Sequence, residues 1–330
     1  MENIGQFAKA FGAPEGIEQA LKSMTTPLER RLILDLSGRK PLTLSELASI
    51  MEISEHEARL SIDEFYHRGI VSLNGENRYI AGNLYSRLDL FAQFEHERWA
   101  KLPVTIRKNL DQWYLDEYGK RCIHGIVAKF ENRARKNYGI KTIPASSLGN
   151  DMVLPHDEAL RFLQTVPEKN LYVLPCNCRS IAMNCDFPVE TCIQYSPPDR
   201  INSPIHRGWG RKISIIEAQE VMVSAHKTGL MHTVGEEAIC NCDSCCCYPM
   251  RSSTKLMSKG IWPGTPYRVE WNEEVCIRCG ACMRRCHMNV FNINTMKRKN
   301  FMVFDSSQCW GCGLCLEVCP RQALTLRRIA

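Results

Sequence analysis

Eighteen of the 330 residues are cysteine, and their spacing is what could do chemistry in this chain. Cys122 stands alone; the other seventeen all follow residue 175. The most regular set is Cys276-x2-Cys279-x2-Cys282-x3-Cys286 and Cys309-x2-Cys312-x2-Cys315-x3-Cys319-Pro320, the second copy 33 residues after the first, position for position. Three closely spaced thiolates on a tight loop can wrap three corners of an iron–sulfur cubane, while the fourth points away and completes the other cube. The spacing therefore predicts one [4Fe–4S] cluster on Cys276, Cys279, Cys282 and Cys319, and a second on Cys309, Cys312, Cys315 and Cys286. Gly280 and Gly313 follow the second cysteine of each run, where a side chain would obstruct backbone amides approaching sulfide.

A less regular set precedes these runs. Cys176-x-Cys178-x6-Cys185-x6-Cys192 is followed by Cys240-x-Cys242-x2-Cys245-Cys246-Cys247. Four thiolates suit tetrahedral zinc, but nine are awkward for one such site, and three adjacent cysteines are splayed apart by the backbone. One or more additional iron–sulfur clusters in 176–247 is the reading adopted, with zinc as the alternative and reactive or relay thiols as a third. His226 and His232 flank Lys227–Met231 nearby and are candidate ligands or proton donors; the plain alternative is that hydrogen bonds satisfy them. Arg179, next to Cys178, either steadies cluster sulfides or an anionic ligand, or makes a surface ion pair.

The C-terminal runs resemble the bacterial-type dicluster ferredoxin, over about residues 265–330. Flanking strands at Tyr267–Trp271 and Phe301–Phe304 and apolar tails at Val290–Ile293 and Ala323–Leu326 belong to the same resemblance. It implies a domain with a pseudo-two-fold repeat that carries two [4Fe–4S] clusters. One departure is Cys286-His287, where the family usually has Cys-Pro. His287 either loosens that turn or adds a hydrogen bond that raises one potential. Trp310, between two ligands, is expected to shield a cluster from water. Residues 251–330 hold 13 Lys+Arg against 5 Asp+Glu, a net +8. Two oxidised clusters with their thiolates would lower this to about +4. Lys297-Arg298-Lys299, between the repeats, is either a solvated hairpin tip or a docking point for an acidic redox partner.

The elements that must carry these residues can be read in outline. Leu28–Leu36 reads as a helix stopped by Gly38, Thr43-x-x-Glu46 as a capping box opening a helix to Met51, and Ser54-x-x-Glu57 as a second opening a helix to Arg68. Ile70–Leu73 and Arg78–Ala81 flank Asn74-Gly75, a hairpin signal. This order resembles a winged helix-turn-helix domain over about residues 27–85. Its second helix begins Ser54, Glu55, His56, Glu57, with Asp63 and Glu64 following, and residues 1–85 carry 9 Lys+Arg against 12 Asp+Glu. Those carboxylates argue against nucleic acid and for a scaffold used in protein contacts or dimerisation. Residues 86–138 read as helix interrupted by Pro103, with Leu88, Phe91, Phe94 and Trp99 near one face and a stripe of Leu110, Trp113, Tyr114 and Tyr118. A linker (139–155), a helix (His156–Val166), a strand (Leu171–Leu174) and a helix from Ser214 to Gly229 follow.

The expected fold is α+β and multi-domain: winged-helix-like 1–85, helical connector 86–155, mixed Cys-rich 156–262 and dicluster ferredoxin-like 263–330. Apolar residues make up 44% and charged residues 24%, as in ordinary globular chains. No run of 18 apolar residues argues for a transmembrane helix, and the first 16 residues lack a continuous apolar h-region. The expected location is the reducing cytoplasm, where dense cysteine means metal or redox chemistry rather than disulfides. The arrangement also resembles ferredoxin-fused proteins of anaerobes. The expected role is single-electron transfer to a redox partner protein or an internal redox site. A reductase with its active site at the middle cysteines and a redox-responsive regulator are the alternatives; no G-x-G-x-x-G or P-loop supports the former.

Overall fold

The computed structural model describes residues 4–137, 149–294 and 301–329. The basic Lys297-Arg298-Lys299 and most of the segment read as a linker lie outside the described residues. The chain forms two compact units: Met1–Glu117 with Leu174–Met183 and Pro197–Arg211, and Tyr118–Val173 with Asn184–Ser196 and Lys212–Ala330. Among the described residues no helix is long and apolar enough to cross a membrane.

The first unit opens with α1 (Ile4–Phe11), α2 (Glu18–Met24), α3 (Pro27–Leu36), α4 (Leu44–Met51) and α5 (Glu55–His67). Reciprocal capping boxes start three of them: Thr26 with Glu29, Thr43 with Glu46 and Ser54 with Glu57. Each satisfies two amide donors that a helix start leaves unpaired. The hairpin β1 (Val71–Leu73) and β2 (Tyr79–Ala81) pairs Val71 with Ala81 and Leu73 with Tyr79. Its turn is longer than Asn74-Gly75 suggests. Asn74 Oδ1 accepts from Glu76 N at 3.1 Å and Arg78 N at 2.8 Å, and the left-handed residue is Asn77, not Gly75. Helices α6 (Leu84–Phe94) and α7 (His96–Ala100) follow, then after the break at Pro103 comes α8 (Val104–Asn137), which belongs to this unit only as far as Glu117.

Phe7, Leu21, Ile33, Leu47, Ile62, Leu88, Phe91 and Trp99 form the buried interior of this unit. Glu29 is fully buried and pairs with Arg68, while Glu95 takes Arg68, Arg87 and Arg98. The returning segment 197–211 closes the hairpin edge. Asn202 acts as a surrogate strand residue: its Nδ2 donates to Leu73 O at 2.7 Å and its Oδ1 accepts from Leu73 N at 2.9 Å. Buried Arg207 donates to Val71 O at 3.0 Å and Ser72 Oγ at 2.9 Å. Trp209 stacks on both His67 and Phe94, at centroid distances of 3.8 and 4.3 Å.

The second unit is built on antiparallel strands in the order β3 (Met152–Leu154), β7 (Met231–Val234), β8 (Ala238–Cys242), β5 (Glu190–Gln194). Between them in sequence come α9 (His156–Leu163), the short strands β4 (Tyr172–Pro175) and β6 (Arg211–Lys212), and α11 (Ile215–Thr228); α10 (Asn177–Ala182) belongs to the first unit. So residues 152–154, read as linker, are a strand. Helix α11 is capped by Ser214 and stopped by Gly229 in a left-handed conformation, as the sequence predicts.

Because strand side chains alternate between faces, β7 and β8 serve two environments. Val234 and Ile239 join Ala159, Leu163, Ala218 and Met222 in a core under α9 and α11. Met231, Cys240 and Cys242 face away, toward Cys247, Met250, Trp310 and Leu314. After α12 (Tyr248–Lys255), the C-terminal segment forms two antiparallel pairs: β9 (Tyr267–Trp271) with β12 (Leu324–Arg328), and β10 (Phe291–Asn294) with β11 (Phe301–Phe304). Val269, Val290, Phe291, Met302 and Leu324 pack between them, with α13 (Ala281–Arg285) beside the first cysteine run.

Candidate metal centres

The eight cysteines of the C-terminal runs divide between two cavities. Cys276, Cys279, Cys282 and Cys319 line one, with Trp271, Met302 and Leu324. Cys286, Cys309, Cys312 and Cys315 line the other, with Met231, Val269, Val290, Phe291 and Trp310. Each cavity thus combines three cysteines of one run with the last cysteine of the other, the crosswise sets assigned from spacing. Apart from the thiols and a few polar groups, the walls are apolar. Four convergent sulfurs around such a void suit an iron–sulfur cubane in number and type.

The backbone around these thiols also suits a sulfur-rich anion. Gly311 N donates to Cys309 Sγ at 3.4 Å and Ala323 N to Cys319 Sγ at 3.2 Å. Gly280 and Gly313 have positive φ, 73° and 81°, so left-handed backbone is the main reason for glycine there. Gly311, which the sequence reading passed over, is more constrained. It also has positive φ, and a Cβ there would stand 2.1 Å from Tyr267 O. Burial pushes the Cys312 thiol up to about 12 and raises Cys282, Cys286 and Cys315 as well. Unaided, these sulfurs would hold their protons; a bound metal would supply the positive charge that favours thiolate.

The cavities differ in exposure. Cys279 is exposed beside the exposed apolar side chains of Val275 and Ile277, whereas Cys315, Trp310 and Leu314 are buried. A wider groove, lined by Lys129, Arg133, Lys259 and Arg268, reaches Cys309. The hydrogen bonds of His287 run to main chain and to Ser244 rather than to a cysteine sulfur. Its Nδ1 accepts from Ser244 N at 3.2 Å, its Nε2 donates to Gly229 O at 3.1 Å, and Ser244 Oγ donates to its carbonyl at 2.6 Å. The ring therefore ties the Cys240–Cys247 loop to the first cysteine run. Burial lowers its basicity, which keeps it neutral and able to accept.

The middle cysteines do not gather at one point within the second unit. Cys185 and Cys246 lie with sulfurs 3.6 Å apart, Cys245 and Cys246 3.8 Å apart, and Cys245 Sγ is 3.2 Å from Asp243 Oδ1. Asp243 is an addition that the sequence reading missed. A second group joins Cys192 to Cys240 at 4.0 Å, then Cys240 to Cys242 and Cys242 to Cys247 by thiol hydrogen bonds. The three adjacent cysteines are split: Cys245 and Cys246 serve one group, Cys247 the other. Cys176 and Cys178 belong to the first unit, on and before α10. There Cys178 Sγ lies 3.4 Å from Asn177 Oδ1, and burial, with Cys178 nearby, raises Asp89 to about 7. Arg179 is buried at 2% exposure, so the surface ion pair is ruled out. His226 and His232 meet His156, a residue the sequence reading did not single out.

Comparison with known proteins bears on the C-terminal segment. Residues 270–326 match the family described as 4Fe-4S dicluster domain, and this part of the chain is such a domain. A 62-residue stretch is 36% identical to part of the Archaeal-type glutamate synthase (NADPH) of Thermotoga maritima, and equally to that of Thermotoga sp. strain RQ2. The stretch is 18% of this chain, which spans 11% of the length of either relative. No solved structure matches the chain significantly.

Proposed function

We propose that the chain is an iron–sulfur electron-transfer protein in which two [4Fe–4S] clusters exchange single electrons with a partner and relay them to a further metal centre at the middle cysteines. The observation that carries this reading is the crosswise sorting of eight thiols into two separate cavities. Cys276, Cys279, Cys282 and Cys319 would hold the outer cluster; Cys309, Cys312, Cys315 and Cys286 the inner one. Clusters there would supply one-electron chemistry. The protein contributes fixed sulfurs, amide donors, burial and the exclusion of water.

A direction of relay is supported by packing. The outer site has an exposed cysteine and an apolar rim with Arg278 and Arg321 on its wall, a surface suited to an acidic redox partner. The basic groove beside Cys309 has the same character. Inward, Met231 and Trp310 line the inner cavity and pack against Cys242 and Cys247. Cys192, Cys240, Cys242 and Cys247 are the ligands we assign to an additional cluster. Cys185, Cys245, Cys246 and Asp243 are assigned to a single ion, with an oxygen donor among the sulfurs. Zinc–thiolate bonds of about 2.3 Å put neighbouring sulfurs about 3.8 Å apart around a tetrahedron.

The likeness to a stretch of a protein named as an NADPH glutamate synthase favours an electron-delivering module within a larger redox system. The first unit, winged-helix-like in element order, is assigned to protein contacts. The start of α5 presents Glu55 and Glu57 to solvent, and segment 197–211 occupies the hairpin edge and the end of the same helix. Both features work against docking on phosphates. Replacing Cys240, Cys242 and Cys247 together by serine tests the relay. Iron and sulfide should fall by about one cluster while the terminal pair remains; unchanged iron and sulfide would reject a middle cluster.

A further inference from the structure

We propose that His156, His226 and His232 form a mononuclear site for a divalent first-row transition metal, distinct from the cysteine centres. The three come from different elements: His156 begins α9, His226 lies in the last turn of α11, and His232 stands on β7 facing those helices. Their candidate ligand nitrogens all lie within 4.8 Å of one another. His156 Nδ1 is 2.9 Å from His232 Nε2, and His226 Nδ1 is 3.2 Å from that same Nε2.

The hydrogen bonds behind the rings decide what those nitrogens can be. Asn241, opposite His232 in the strand register, donates its Nδ2 to Thr191 O at 2.6 Å. Its Oδ1 therefore faces His232 Nδ1, 2.6 Å away, and can only accept. His232 thus carries its proton on Nδ1 and turns a lone pair out from Nε2. His226 Nε2 donates to the Glu317 carboxylate, so in the neutral ring His226 Nδ1 is a lone pair too. Two lone pairs then face each other at 3.2 Å. A proton from His156 Nδ1 could satisfy one of them but not both. A cation shared by the three nitrogens satisfies all of them.

His232 is 1% exposed and turns its Nε2 toward both other rings. Metal geometry is met. Imidazole–zinc bonds of about 2.0–2.1 Å place neighbouring nitrogens roughly 3.3 Å apart around a tetrahedron. The outer partners are those that orient metal-bound histidine: a carboxylate behind His226, and an anchored amide behind His232. An all-nitrogen set suits zinc, ferrous iron or their neighbours, unlike the soft thiolate sites close by. Three protein ligands leave a coordination position for water or a small anionic or carbonyl ligand.

The test uses full-length holoprotein purified without oxygen, equilibrated with Zn²⁺ and desalted. Wild type should hold one more zinc per chain than His156→Gln or His226→Gln. The zinc-edge X-ray absorption difference should show nitrogen scattering at about 2.0–2.1 Å rather than sulfur at about 2.3 Å. Unchanged iron and sulfide in the variants show that they are folded. His124→Gln, an exposed histidine on α8, should keep the full zinc content. Asn241→Leu should weaken zinc binding by about 10- to 100-fold. Equal zinc in wild type and both histidine variants, or a difference made only of sulfur scattering, overturns the proposal. Iron and sulfide content is read separately, so the electron-transfer reading stands or falls independently.

Discussion

Replacing His287 by alanine should loosen the attachment of the middle cysteine loop to the ferredoxin segment. The ring spends both nitrogens on main chain, accepting from Ser244 N and donating to Gly229 O. Alanine leaves that amide and that carbonyl without these partners, at a cost of about 1–2 kcal/mol each. The bond from Ser244 Oγ to the residue 287 carbonyl survives, because it is made to backbone. The net loss is therefore about 3 kcal/mol, or a Tm lower by roughly 6–12 °C for a unit of this size. Thermal bleaching of the visible cluster absorption, followed without oxygen, reads this directly. His287→Pro restores the residue usual in the ferredoxin family and should be no more stable than the alanine variant. A Tm shift below about 2 °C for alanine, or a proline variant as stable as wild type, would refute the clamp.

Three further outcomes follow from single contacts. Gly311→Ala forces a side chain into left-handed backbone and against Tyr267 O. The strain alone costs about 1–2 kcal/mol, and iron content should drop toward one C-terminal cluster. Arg207→Ala removes donors to Val71 O and Ser72 Oγ from a buried position. It should cost about 3 kcal/mol and increase proteolysis in the first unit, with iron per chain unchanged. Asp151 accepts from Trp262 Nε1 at 2.7 Å, and burial raises its carboxyl above the usual range. A raised folded value means that the unfolded chain loses the proton first, so stability falls as pH rises from about 4 through the folded value. Asp151→Asn keeps an acceptor and should stabilise the unit at neutral pH but not at pH 4 in denaturant titrations. A loss of stability of equal size at both pH values would contradict this.

Much of the local structure was legible because its causes are local. Thr43 with Glu46, Ser54 with Glu57, and Ser214 before Gly229 each mark a helix end within a few residues. The duplicated cysteine runs were legible for the same reason: three of the four cysteines lining each cavity sit within one short run. Asn202, Arg207 and Trp209 gave no signal, because the hairpin they complete lies about 130 residues earlier. The split of the middle thiols depends on strand alternation in β8 and on the turn at Asp243, which spacing alone does not reveal. His156 was missed because its partners lie 70 and 76 residues away, brought together only by α9 packing on β7. His287 stood out in sequence as a departure, but its role depends on Gly229 and Ser244, which only the folded chain brings to it.

The central claim is that two clusters are held by eight crosswise thiols in the C-terminal segment. Iron and acid-labile sulfide per chain, measured on anaerobically purified protein alongside EPR of the reduced form, test it most directly. The account predicts at least eight irons and eight sulfides, with reduced-cluster signals that Cys319→Ser and Cys286→Ser perturb at different sites. Iron near four per chain, or zinc bound without sulfide, would contradict it.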